Sequence, residues 1–200
     1  MSATLQNNVA LLLLAGGNST RMQQPKQVLP WKGSTLIENA LKTAEELTDA
    51  YEVVLGAHLD KISPLVPSEK VVVNEEWHGG MGISLAKGVA SLERKYDPTA
   101  ILVMLVDQPF LELEHYLNLI RNQLQRPTHI FASTYNGQPG VPAIFPKSYF
   151  KELMTLGADF GAKKLMKQHE NVVVCIDTYG ELIDLDTPED YRLACSRVGA

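Results

Sequence analysis

Apolar positions along the chain follow two rhythms. Short, nearly continuous apolar blocks lie at residues 9–14, 51–55, 70–73, 100–106 and 171–176. Blocks of this length read as strands, and the richest of them, at 9–14 and 100–106, as strands buried on both faces of a parallel sheet. Helical spacing takes over at 34–47, at 84–96 and at 112–125. In 34–47 the stripe is Leu36, Ile37, Ala40, Leu41, Ala44 and Leu47, and Thr35-x-x-Glu38 forms a capping box. In 112–125 the stripe is Leu113, Leu117, Ile120 and Leu124. Two further short strands, 129–134 and 141–145, flank Asn136-Gly137-Gln138-Pro139-Gly140 and suggest a hairpin-like excursion. Helices follow at 147–156, stopped by Gly157, and at 161–169. Residues 182–186 read as a last strand. Thr187-Pro188-Glu189-Asp190 then opens a final helix, with Thr187 as N-cap, Pro188 at the first helical position and two acids against the dipole. Residues 57–69 are irregular, and the polar residues 1–8 are expected to fray. Alternating strands and helices predict an α/β fold, a Rossmann-like three-layer α/β/α sandwich around a mainly parallel sheet.

Composition narrows the class. The 200 residues suit one domain, 1–200, with a substantial core. Net charge is −5 with no basic block, so no nucleic acid partner is expected. The first apolar run is too short to span a bilayer and lacks the flanks of a signal peptide, which points to a cytoplasmic protein with no membrane partner. Cys175 and Cys195 do not make a disulfide framework, and Cys175, within an apolar run, reads as a buried thiol. The histidines show no zinc-ligand spacing. Oligomeric state is not legible in the sequence.

The chemistry concentrates where strands end. After Leu14 the chain breaks at Ala15-Gly16-Gly17 into a polar loop carrying Arg21 and Lys26. Glycines let backbone N–H groups approach a ligand, and two cations beside them favour a polyanion such as a triphosphate. The alternative is a Gly-Gly turn with solvated charges. Walker A spacing and the Gly-x-Gly-x-x-Gly dinucleotide fingerprint are both absent. A second loop, NEEWHGGMGIS at 74–84, offers Gly80, Gly82 and Ser84 at a helix start, either as a cradle for sugar or phosphate or as a plain turn. Asp107, at the end of the 100–106 strand, lies where open α/β sheets bind ligands, although it could simply cap the next turn. All these segments follow strands, so they share one edge of the sheet.

LLAGGNSTRM-x-x-PKQVLPWKG resembles the signature of the MobA/MocA-like nucleotidyltransferases, L-A-G/A-G-x-S-x-R-M-G-x-x-K. The D-Q-P string at Asp107 and the D-x-D-T-P-E-D string at Asp184 resemble that family's metal motifs. The likeness runs from Leu12 to Tyr191. It departs at Gln23, where the family has glycine, at Val141 in Gly140-Val141-Pro142, where the family often has histidine, and at Ala158 and Lys163, which replace a glycine and an arginine.

The resemblance implies the nucleotide-diphospho-sugar transferase type of fold. It also implies Mg²⁺-dependent transfer of NMP from NTP to a phosphorylated acceptor, with release of pyrophosphate. Nucleotide binding would fall to Leu14, Ala15, Gly16, Gly17, Arg21, Lys26, Gly80, Gly82, Ser84 and Asp107, with Arg21, Lys26 and Asp107 catalytic. Metal ligands would be Asp107 and Asp186, Asp184 being the alternative second carboxylate. Gly140, Val141 and Pro142 would face the acceptor. The adjacent glycines resemble guanylyl transferases and the aspartate strings the cytidylyl branch, so CTP is favoured over GTP. Molybdopterin is the implied acceptor, with sugar or alditol phosphates as the alternative and a molybdoenzyme or chaperone as protein partner. Rival classes are a nicotinamide oxidoreductase and a non-catalytic nucleotide-binding domain.

Overall fold

The run at 9–14 forms β1 (Val9–Leu14), and every residue in it is buried. Val9, Leu11 and Leu13 join one core, while Ala10, Leu12 and Leu14 join the other. That two-residue period is what a strand covered on both faces requires. A computed structural model describes residues 8–135, 137–157 and 161–198. Expectations for residues 1–7, for Asn136 in the turn and for Ala158 lie outside the described residues.

In chain order there follow a small antiparallel pair, β2 (Pro30–Trp31) and β3 (Ser34–Thr35), then α1 (Leu36–Leu47), β4 (Tyr51–Leu55), α2 (Leu59–Ile62), β5 (Val71–Val73) and α3 (Met81–Tyr96). β6 (Ala100–Leu105), α4 (Leu113–Gln125), β7 (Ile130–Tyr135), β8 (Gln138–Pro146), α5 (Phe150–Met154), α6 (Ala162–Gln168), β9 (Val173–Ile176) and α7 (Pro188–Val198) complete it. Among the described residues the main sheet has seven strands in the order β5-β4-β1-β6-β8-β7-β9. Pairing is parallel except where β8 runs against β6 and β7. One face is covered by α1, α4 and α7 and the other by α3, α5 and α6, so the mainly parallel three-layer sandwich stands as expected.

Several local expectations are corrected. Asn8 is anchored rather than frayed, because its carbonyl accepts from Thr99 N–H at 2.7 Å and its amide donates to Asp97 O at 2.8 Å. The stripe of α4 is rotated: His115, Tyr116, Leu119, Ile120 and Gln123 face inward, and Leu124 is exposed. Cys175 is exposed, because β9 is an edge strand. The helix at 147–156 divides into a tight turn at Lys147–Tyr149 and α5. Residues 182–186 form no strand. They lie beside the end of β6, where Leu185 N–H donates to Asp107 O at 2.9 Å. That bond brings the Asp184-Leu185-Asp186 string next to Asp107. The final helix opens as anticipated, with Thr187 Oγ1 accepting from Asp190 N–H and the Asp190 carboxylate accepting from Thr187 N–H.

Candidate functional site

The glycine-rich loop leaves β1 and is pinned by side chains that stay local. Gln27 is buried, and its amide donates to Ala15 O at 2.8 Å and Gly17 O at 3.1 Å. Ser19 and Gln23 adopt left-handed backbone (φ 52° and 61°). Gln23 thus keeps the conformation for which glycine is the unstrained residue. From the other side Ala57 N–H donates to Gly16 O at 3.1 Å. Gly56 lies so close that a Cβ there would sit 2.5 Å from Trp77 Cβ and 2.8 Å from Gly16 O.

A hollow of about 460 Å³ opens behind this loop. Of the residues singled out in the sequence, Leu14, Ala15, Gly16, Gly17, Lys26, Gly80, Ser84 and Asp107 line it. Trp77 and His78, stacked with ring centroids 3.5 Å apart, add an aromatic wall. The helix α3 begins at Met81, earlier than expected, so Gly82 and Ser84 belong to its first turn and not to a loop. Ser84 Oγ lines the hollow and accepts from the buried Asn74 amide at 2.9 Å. Gly82 is buried in the helix and does not line the hollow.

The charged groups meet at the hollow's edge. The Lys26 ammonium lies between two carboxylates, in a short contact to Asp107 Oδ2 and 3.0 Å from Asp186 Oδ1. Arg21 donates to Asp186 Oδ2 at 2.7 Å, with 71% of its side chain exposed, and is not on the hollow's wall. Burial pulls the Lys26 ammonium down, but the charges of Asp107 and Asp186 outweigh it and hold its pKa above the ordinary lysine value. Burial pushes the Asp107 carboxyl above the usual carboxylate range against the pull of Lys26. Asp107 Oδ1 is buried without a hydrogen-bond partner. A carboxylate oxygen left bare beside a second carboxylate suits a cation.

No group of three or more His, Cys, Asp and Glu side chains among the described residues could hold an ion by itself. Two carboxylates with the remaining ligands from phosphate and water are nevertheless how Mg²⁺ is commonly bound. Asp107 and Asp186 fit that ion. Asp184 faces a different partner, accepting from Gln108 Nε2 at 2.8 Å.

Gln108, which the sequence reading passed over, joins the two halves of the site. Its amide nitrogen donates to Asp184 and also to Val141 O at 3.1 Å. Val141 and Pro142 are extra residues in β8: pairing with β7 jumps from Ala132↔Ala143 to Ser133↔Gly140. Ser133 Oγ takes up the displaced Pro142 carbonyl at 2.7 Å and accepts from His115 Nε2 at 2.7 Å. His115 is fully buried, and desolvation pushes its pKa down to about 4. Gly140 and Val141 line a second cavity of about 620 Å³, together with Gln108, Asp184, Tyr135 and α6. Pro142 is buried behind them and does not line it. The Asp107-Gln108 dipeptide therefore borders both cavities.

Residues 11–172 match the MobA-like NTP transferase domain. The nicotine blue oxidoreductase of Paenarthrobacter nicotinovorans is 32% identical over 198 residues, covering 92% of this chain and 94% of that protein. The purine catabolism protein PucB of Bacillus subtilis (strain 168) is 31% identical, covering 91% and 93%. The molybdenum cofactor cytidylyltransferase of Escherichia coli (strain K12) is 20% identical, covering 93% and 95%. Among solved structures, the manganese complex of Rv0371c from Mycobacterium tuberculosis H37Rv superimposes with a TM-score of 0.75 at 28% identity, covering 92% of this chain and 96% of that one. No helix among the described residues is long and apolar enough to cross a membrane.

Proposed function

We propose, for a chain that belongs to the MobA-like NTP transferase family, that it moves NMP from an NTP to a phosphorylated acceptor and releases pyrophosphate. The observation that carries this reading is the meeting of Lys26, Asp107 and Asp186 where the 460 Å³ hollow behind Gly16-Gly17 adjoins the second cavity. A triphosphate in the hollow and an acceptor phosphate in the second cavity would face each other across Asp107 and Gln108.

An acceptor phosphate is already ionised near neutral pH, so no general base is needed. Its oxygen attacks the α-phosphorus, the bond to the β-phosphate oxygen breaks, and pyrophosphate leaves with the electron pair. The task left to the protein is positioning and charge neutralisation. Mg²⁺ held by Asp107 and Asp186 would offset charge on the α-phosphate and the leaving group. With the metal held there, Lys26 would serve the triphosphate as a point charge, and Arg21 would add a bidentate donor. Gly16, Gly17 and the first turn of α3 supply backbone N–H groups. The manganese complex of Rv0371c supports a divalent cation in this role.

CTP is favoured over GTP on the Asp107-Gln108-Pro109 and Asp184 strings, while molybdenum cofactor cytidylyl- and guanylyltransferases both stand among the relatives. Their names, with the apolar walls of the acceptor cavity, support molybdopterin over a sugar or alditol phosphate. An oxidoreductase reading, carried by one relative's name, lacks support in a loop without the dinucleotide spacing. The test is a thermal-shift panel of NTPs with Mg²⁺, with NADH as the opposing ligand. A ligand at a hundred times its Kd adds about 2.7 kcal/mol. A shift with CTP·Mg²⁺ and none with NADH is expected, and the reverse overturns the proposal.

A further inference from the structure

The acceptor cavity carries charge that nucleotidyl transfer does not use. Its wall on the side of the carboxylate cluster is formed by Gln108 and Asp184, and Met81, Leu105 and Val141 add apolar surface. A further wall is α6, where Lys163 and Lys167 stand one turn apart on the same face. Both lysines also border an adjoining hollow of about 470 Å³. The helix reads AKKLMKQ, three lysines and no acid, in a chain of net charge −5. Among the described residues neither Lys163 nor Lys167 forms a salt bridge, and the Lys163 ammonium lies 5.5 Å from the centre of the Tyr135 ring. This contrasts with Lys87, Lys95 and Lys147, each of which pairs with a carboxylate.

We infer that Lys163 and Lys167 receive a second anionic group on the acceptor, separate from the phosphate that attacks the nucleotide. The inference rests on the proposed function for where that phosphate sits. A molecule with its phosphate at Asp107 and Gln108 extends across the apolar surface toward α6. Apolar walls suit a flat ring system in the middle and give little purchase to a polyol. The substrate class is therefore a flat acceptor with negative charge at both ends. Two ammoniums that form no salt bridge among the described residues attract such a group without first having to break one of those pairs.

The test uses two aryl phosphates that differ only at the far end, phenyl phosphate and 4-carboxyphenyl phosphate. Binding is measured by calorimetry on the full chain loaded with Mg²⁺ and a non-hydrolysable CTP analogue, at low and high salt. Each exposed ion pair of this kind is worth about threefold in affinity. The carboxylated probe should therefore bind about tenfold more tightly than phenyl phosphate at low salt, and the ratio should shrink as salt rises. In the Lys163→Gln/Lys167→Gln variant the ratio should fall to about one, with phenyl phosphate binding and the CTP-induced thermal shift both unchanged. Equal binding of the two probes by the unaltered protein, a ratio that survives in the double variant, or no binding of either probe overturns the inference. Failure of the nucleotide reading would show separately, as the absence of a CTP·Mg²⁺ shift.

Discussion

Replacing Gly56 by alanine tests whether the glycine loop and the Trp77 wall are held by close approach. The added Cβ would sit 2.5 Å from Trp77 Cβ and 2.8 Å from Gly16 O, where ordinary contact begins at 3.4 Å. Both neighbours are firmly placed, one at a backbone oxygen and one at the base of a side chain. The gap must open by about 0.9 Å toward Trp77 and about 0.6 Å toward Gly16. Overpacking of this kind costs about 1–3 kcal/mol, and in a protein of this size each kcal/mol lowers Tm by about 2–4 °C. Because Gly16 O also accepts from Ala57 N–H, the displacement reaches the cradle, and CTP·Mg²⁺ affinity should fall about tenfold. Gly88→Ala is the comparison. There the Cβ would meet Leu12 Cδ1 at 2.3 Å and Val54 Cγ2 at 2.9 Å, on the α3–sheet contact and off the wall of the hollow. Gly88→Ala should lower Tm while leaving the nucleotide-induced shift intact. Scanning fluorimetry and calorimetry on both variants decide it. An unchanged Tm and unchanged CTP affinity in Gly56→Ala would refute the steric argument.

Other outcomes follow from the same geometry. Asp107→Asn and Asp186→Asn should each lower kcat strongly and raise the Mg²⁺ requirement while folding survives, whereas Asp184→Asn, which disturbs the Gln108 bond, should cost stability more than turnover. A Mg²⁺ titration beside melting curves separates the three. Gln23→Gly should raise stability by about 1 kcal/mol, because Gln23 holds φ at 61°; denaturant unfolding measures it, and a loss would show that the Gln23 side chain contributes more than its strain. His115 titrates at about 4 in the fold and near 6.5 unfolded, so its stabilising effect is full above about pH 6.5 and is lost as pH falls toward 4. Relative to His115→Gln, the unaltered protein should lose about 3 kcal/mol across that window; parallel pH profiles for the two proteins would contradict the assignment.

Much of the fold was legible because burial on two faces writes itself as unbroken apolar runs. β1 and β6 show this, and α1 shows its stripe and capping box. The site's outline was legible for a related reason: Gly16, Gly17 and Asp107 follow strand ends directly, and Lys26 lies on the loop that leaves the first of them. What escaped depends on neighbours distant in the chain. The polar His115 of α4 faces inward because Ser133, on β7, takes its N–H. Cys175 is exposed because strand order, not local sequence, makes β9 an edge. Gln27 and Gln108 each follow a flagged residue, yet their work is to hold carbonyls and a carboxylate that only folding brings near. Residues 182–186 have strand composition, but their place beside Asp107 gives them one main-chain bond there instead of a ladder.

The central claim is transfer of a nucleotidyl group, and the fate of the α-phosphate tests it most directly. CTP or GTP labelled at that position is incubated with the protein, Mg²⁺ or Mn²⁺, and molybdopterin or a sugar phosphate. Label is expected in a product joined to the acceptor through a phosphoanhydride (P–O–P) bond, with pyrophosphate in equal amount, and more readily from CTP. Asp107→Asn, still folded, should form neither product at a comparable rate. Label remaining in intact NTP with every acceptor, in protein that binds CTP·Mg²⁺, would contradict the account and leave a nucleotide-binding domain without transferase activity.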